Sequence, residues 1–204
     1  TIPLPPGSEL LLLPDRVPLL YHRERRRLEP VPTHPEAPDT PLFPVAAFNS
    51  PGVVATWAPA YREREGARAL PLFCYGAVGW GGGRFRAAAV RVDWEPRQDL
   101  RRMPLSAVRR GIRRLRRLLP HNRLRRHLET CALVYGCPAG KNFFLGRYEA
   151  PLPTAVTCNA RCLGCLSHQP GGEIPCTQER LRFTPGPAEI AEVALAHIGR
   201  APRP

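Results

Sequence analysis

Three cysteines stand within eight residues, Cys158-Asn159-Ala160-Arg161-Cys162-Leu163-Gly164-Cys165, in a C-x3-C-x2-C spacing. Deprotonated cysteine sulfur is a soft donor that suits iron–sulfur clusters and zinc, and a loop this short can aim three side chains at neighbouring metal atoms. A [4Fe-4S] cube has four irons, so ligation by Cys158, Cys162 and Cys165 would leave one iron without a protein donor. An open coordination position belongs to catalytic rather than purely structural metal centres. Two other chemistries fit the same residues. Cys162-x2-Cys165 could form a zinc knuckle, with Cys158 and either His168 or Cys176 completing a tetrahedron. Cys162 and Cys165 could also form a dithiol redox pair, although the βαβ context of such a motif is missing.

The spacing, placed directly after a segment of strand composition, resembles the signature of the radical S-adenosylmethionine (radical SAM) superfamily. Cys158, Cys162 and Cys165 match its three cluster ligands one for one. The stretch from Arg125 through Gln169 is also similar to uncharacterised bacterial radical SAM proteins, in which an Arg-rich helix and an aromatic segment lead into the cysteine loop. The resemblance implies a partial (β/α) barrel, a [4Fe-4S] cluster and S-adenosyl-L-methionine as cofactors, and an electron donor such as a flavodoxin or ferredoxin. It implies an enzyme that generates a 5′-deoxyadenosyl radical, with substrate and reaction type set elsewhere in the fold. Where the superfamily usually has an aromatic residue before the third cysteine, this chain has Gly164. Gly171-Gly172-Glu173 spells the family's methionine-binding tripeptide but lies too close to Cys165 to carry that role. Asn159 and Arg161 are expected to hydrogen-bond near the sulfurs.

Elements must hold this loop. Leu152 to Val156, entered through Pro151 and Pro153, reads as the strand that delivers the chain to Cys158. Beyond the loop, Ile190, Val193, Ala194, His197 and Ile198 share one face of a helix over Pro187 to Ile198, with Glu189 in its first turn and Gly199 past its end. His197 on that face reads as a core histidine. Upstream, Leu105, Val108, Ile112, Leu115 and Leu118 recur at spacings of three and four, giving a helix closed by Pro120. Asn122 caps a second helix striped by Leu124, Leu128, Cys131 and Ala132, and nine arginines between Arg109 and Arg126 occupy the remaining faces. The pair is expected to form an antiparallel helical hairpin over residues 105–134. Asn142 to Tyr148 is a short aromatic segment.

The first third of the chain is β-rich. Leu10 to Leu13 and Val17 to Tyr21 flank the turn signal Pro14-Asp15-Arg16 and predict a hairpin. Prolines at 30, 32, 35, 38, 41, 44 and 51 predict an extended connector over residues 28–51, with little sheet. Val53 to Trp57, Leu70 to Tyr75 and Ala87 to Val92 have strand composition, the last two joined by a loose glycine loop from Gly76 to Gly83. The expected architecture is therefore an α+β N-terminal domain, residues 1–148, followed by the first βα unit of a truncated radical SAM partial (β/α) barrel, residues 149–204. Only 39 residues follow Cys165, too few for six βα units, and with no initiator Met the chain is expected to be an N-terminal fragment.

Composition sets the wider limits. Lys141 is the one lysine among 30 basic residues, against 17 acidic ones, a formal charge of +13 that attracts phosphates and acidic surfaces. A nucleic acid or a phosphorylated partner on the Arg-rich helices is the corresponding expectation. A rival reading is accordingly a nucleic-acid-binding or scaffold protein with a structural zinc or iron–sulfur site. No apolar run approaches the ~20 residues that span a bilayer, so no membrane partner is expected. No secretory signal opens the chain, and seven cysteines, an odd number, read as thiols or ligands in a cytoplasmic setting. Cys74, Cys131 and Cys137 are candidates for an auxiliary cluster, with Cys131 also readable as a small apolar residue on its helix stripe. Gly136 to Asn142 has the wrong spacing for a phosphate loop, and the glycines from Gly76 to Gly83 lack the helix and acid of a dinucleotide site.

Overall fold

The computed structural model describes residues 1–200, and the last four residues of the expected 149–204 segment lie outside them. It is a mixed α+β chain of antiparallel sheets followed by helices, and no barrel is closed among the described residues. Contacts divide it into two compact units, Thr1–Trp94 with Pro170–Pro175, and Glu95–Gln169 with Cys176 onward. The expected boundary at 148 therefore falls inside the second unit, because the helical hairpin and the last helix share one core.

The first unit contains β1 (Ile2–Pro3), β2 (Glu9–Leu12), β3 (Arg16–His22), β4 (Arg27–Pro30), β5 (Thr33–His34) and β6 (Ala37–Pro41). It continues with β7 (Val45–Phe48), β8 (Val53–Ala55), β9 (Tyr61–Glu63), β10 (Gly76–Gly81), β11 (Arg84–Ala87) and β12 (Ala89–Arg91). One antiparallel sheet has the order β1-β11-β10-β7-β2; smaller sheets are β4-β3-β9, β12-β8 and β5-β6. The expected hairpin around Asp15 does not form. Leu13 is fully buried and its N–H donates to the Pro44 carbonyl, so β2 pairs with β7 while β3 leaves for β4 and β9. The connector over 28–51 is also corrected: its prolines lie in and between short strands, where a missing N–H costs little at an edge. Leu70 to Tyr75 is not a strand. The hairpin lies within the glycine segment instead, because Gly82 and Gly83 take φ +60° and +73°, the left-handed pair that a two-residue turn between twisted strands requires. Trp80 and Phe85 face each other across it, ring centroids 4.9 Å apart at 83°.

In the second unit, two short 3-10 turns lead to α1 (Leu105–Leu118), α2 (Arg123–Leu133), α3 (Pro138–Leu145) and α4 (Pro187–Ile198). Val108, Ile112, Leu115, Leu124, Leu128, Phe143, Phe144 and Val193 form one buried cluster contributed by all four helices. The predicted spans of α1, α2 and α4 hold, and Asn122 caps α2 by accepting from the Arg125 N–H at 2.8 Å. Their faces are narrower than the periodicity suggested, since Leu105, Leu118 and Ile198 are exposed. One arginine expected on an outer face is inside: Arg125 is buried, donates to the Leu119 and Pro120 carbonyls just past the end of α1, and pairs with Glu129. Glu129 also holds Arg116 of α1 at 2.7 Å.

The aromatic segment expected at Asn142 to Tyr148 is largely α3, started by Pro138 in its first turn and stopped at Gly146. Leu152 to Val156 is not a strand; it runs without regular structure. Pro151 and Pro153 remove two ladder donors, and the second unit has no strand to pair with it among the described residues. No helix among the described residues is long and apolar enough to cross a membrane.

Candidate metal centre

The cysteine loop has one anchored half and one open half. Gln169 donates from its side chain to the Cys165 carbonyl at 2.8 Å and to the Leu163 carbonyl at 3.3 Å. The Thr177 and Gln178 amides donate to the Leu166 carbonyl at 3.0 and 3.2 Å, which fixes the chain just after Cys165. Within the triplet, the Cys165 N–H reaches the Cys162 carbonyl at 3.3 Å. Cys158 and Cys162 are exposed, on chain without helix or strand, and Leu163 is 97% exposed.

All seven cysteines are free thiols. Cys165 has the most developed surroundings. The Ser167 backbone N–H lowers its pKa to about 7, with help from the Arg180 guanidinium 3.9 Å from Sγ, the Ser167 hydroxyl and the His168 N–H, against a smaller cost of burial. Ser167 and Arg180 were not singled out from sequence; a hydroxyl two residues after a cysteine and an arginine fifteen residues on carry no spacing signal. The expected helpers do not take that part. Asn159 and Arg161 are exposed, and among the described residues neither hydrogen-bonds to a sulfur.

The three sulfurs are not gathered around a point: among the described residues no group of three His, Cys, Asp or Glu side chains is disposed to hold a metal ion. The donor chemistry nevertheless fits an iron–sulfur cluster, with three free thiols on eight residues, one of them with a lowered pKa and two exposed on chain without regular structure. A side chain built at Gly164 would meet nothing within 4 Å, so packing does not demand the glycine found in place of the family's aromatic residue. Gly171 and Gly172 are left-handed, φ +83° and +71°, in an exposed turn, which accounts for that pair without a ligand.

The auxiliary candidates separate. Cys74 lies in the first unit, Cys131 and Cys137 in the second. Burial pushes the Cys131 thiol up to about 11, as for a small apolar residue on its helix stripe. Cys137 precedes α3, its N–H on the Cys131 carbonyl at 2.9 Å. In the phosphate-loop look-alike, Gly140 lies against the backbone of α2 and Asn142 is buried, bonded to the Arg97 carbonyl and to Glu149. His197 is buried, as expected, and desolvation beside Phe143 lowers its pKa. Compared with models of protein families, with curated proteins and with solved structures, the chain matches none.

Proposed function

We propose that this chain is a radical SAM protein, or the N-terminal part of one, in which Cys158, Cys162 and Cys165 hold three irons of a [4Fe-4S] cluster. The observation that carries the reading is the C-x3-C-x2-C loop of free thiols, with the Cys165 pKa lowered by the Ser167 amide and the Arg180 guanidinium. When bound, such a cluster supplies the electron that cleaves S-adenosyl-L-methionine to methionine and a hydrogen-abstracting 5′-deoxyadenosyl radical. The protein's own contribution begins at Cys165, where the Ser167 amide and Arg180 hold negative charge on sulfur before any metal arrives. Cys158 and Cys162 then turn inward from the open half of the loop. In this reading the cysteine loop and α4 belong to the opening unit of a partial barrel. A flavodoxin or ferredoxin is the reductant, and the cytoplasm, where thiols stay reduced, is the compartment.

Anaerobic reconstitution with iron and sulfide tests the proposal. Brown protein is expected, with near-equal iron and acid-labile sulfide, and an electron paramagnetic resonance signal after reduction that S-adenosyl-L-methionine alters. Alanine at Cys158, Cys162 or Cys165 is expected to abolish it, and alanine at Cys74 or Cys176 to leave it. Colourless protein that binds zinc alone would overturn the reading.

A second reading, a nucleic-acid-binding protein, is favoured by α1. Six arginines lie between Arg109 and Arg117, and among the described residues only Arg116 engages a carboxylate. Duplex or single-stranded nucleic acid should then bind with log affinity falling about 0.7–0.9 per phosphate contacted for each log unit of salt.

A further inference from the structure

A concave site in the second unit is lined by four arginines, two of which have no carboxylate partner among the described residues, and by one carboxylate, that of Glu179. Arg123, Arg126 and Thr130 recur at three- and four-residue steps along one face of α2. With Tyr135, Arg180 and Phe183 they line a cavity of about 340 Å³, at the small end of ligand pockets. Its wall is fixed: the Tyr135 hydroxyl accepts from the Glu179 N–H at 3.0 Å, and Arg123 stacks over the Phe183 ring at 4.5 Å.

Two of its four guanidinium groups are matched within the protein. Arg123 pairs with Glu189 and Arg182 with Glu179, each at 2.6 Å. Arg126 and Arg180 line the same cavity, and among the described residues neither has a carboxylate within ion-pair reach. Among the described residues the one polar contact of the Arg180 side chain is the long approach to Cys165 Sγ at 3.9 Å, which leaves most of its donors unused there. Two like charges facing one hollow repel until an anion enters. The Arg123 and Arg125 amides at the start of α2 do not compete for that anion, because Glu189 and Asn122 already accept from them.

We propose that this hollow binds the phosphate group of a small phosphorylated molecule, held by Arg126 and Arg180, with the organic part against the Phe183 ring. A phosphate monoester carries about −1.5 to −2 charge at pH 7, the amount two guanidinium groups without carboxylate partners would balance. The planar fork of arginine matches its oxygens in pairs. The site shares Arg180 with the surroundings of Cys165, so its test uses the metal-free chain, in which no cluster is bound at Cys158, Cys162 and Cys165.

Titration calorimetry with phenyl phosphate, with phenol as the probe lacking the charged group, decides it. Phenyl phosphate binds one site saturably and is displaced by inorganic phosphate, while phenol gives no isotherm. The double variant Arg126→Ala/Arg180→Ala weakens binding at least about tenfold, the loss expected for charge-assisted bonds. Thr130→Glu, a conservative change for helix stability at an exposed position, does the same by placing a carboxylate in the hollow. Arg109→Ala/Arg113→Ala, on α1 outside the cavity, changes affinity by less than about twofold, which separates the site from general attraction to a basic chain. The proposal is overturned by the absence of a saturable isotherm, by equal binding of phenol, or by pocket variants that bind as the parent does. An equal loss in the α1 variant would overturn it as well.

Discussion

Cys165 and Cys131 show how surroundings divide one chemistry into two behaviours. Cys165 sits where the Ser167 amide and the Arg180 guanidinium favour the thiolate, and its pKa falls to about 7. Cys131 sits half-buried on α2, where desolvation favours the neutral thiol and its pKa rises to about 11. Alkylation follows the thiolate, so in metal-free protein iodoacetamide should label Cys165 with a midpoint near pH 7 and leave Cys131 unlabelled until strongly alkaline pH. Peptide mass spectrometry across a pH series reads both sites. Arg180→Ala should move the Cys165 midpoint upward; an unmoved midpoint would remove the guanidinium from the account. The cysteines themselves were legible from their spacing. The Ser167 and Arg180 roles were not, because a hydrogen bond to sulfur depends on how the loop folds back and not on residue order.

Among the elements, α1 carries a requirement that its periodicity hides. Gly111 is buried at the crossing with α3, and a side-chain carbon built there would lie 2.0 Å from the Phe144 carbonyl oxygen. In an exposed helix interior, glycine to alanine gains about 1 kcal/mol from backbone entropy. Here the clash is with backbone, which cannot rotate away, so overpacking reverses the sign. Gly111→Ala should destabilise the protein by about 2 kcal/mol or more, read as a lower urea midpoint with the helical circular dichroism as probe. A stabilised variant would show that α1 and α3 do not approach as closely as described. α3 itself was missed because its apolar residues stand together as Phe143, Phe144 and Leu145 with no second turn to set a period. Its start at Pro138 and stop at Gly146 were the available signals.

At the scale of the whole molecule, residues far apart in the chain close the helical unit. Glu189 accepts from the Gly186 N–H at the start of α4 and pairs with Arg123 at the start of α2, 66 residues earlier. Asn122 adds bonds to the Glu189 carbonyl and to Glu192. Arg123 is the main reason the Glu189 carboxyl is held at about 2, with the Gly186 amide next. A carboxylate whose folded pKa is lowered stabilises the fold fully above its ordinary value of 4.5 and loses that contribution as pH falls toward 2. Melting temperatures of the parent and of Glu189→Gln should therefore differ at pH 7 and converge between pH 4.5 and pH 2. A constant difference across that window would take Glu189 out of the linkage.

Local rules determined a good deal of this protein. Apolar spacing and caps placed α1, α2 and α4, runs of strand composition between turn signals marked a β-rich first third, and cysteine order marked the loop on which the proposed cluster rests. Each of those follows from forces acting within a few residues. Tertiary structure decided what depends on partners distant in sequence. Strand pairing sent β2 to β7 and denied Leu152 to Val156 a ladder, because a strand exists only beside another strand. Packing put Arg125 inside and left Ile198 outside, and folding set Arg126 and Arg180 around one hollow. Burial and long-range charge are properties of the assembled shape, and no window of residues contains them.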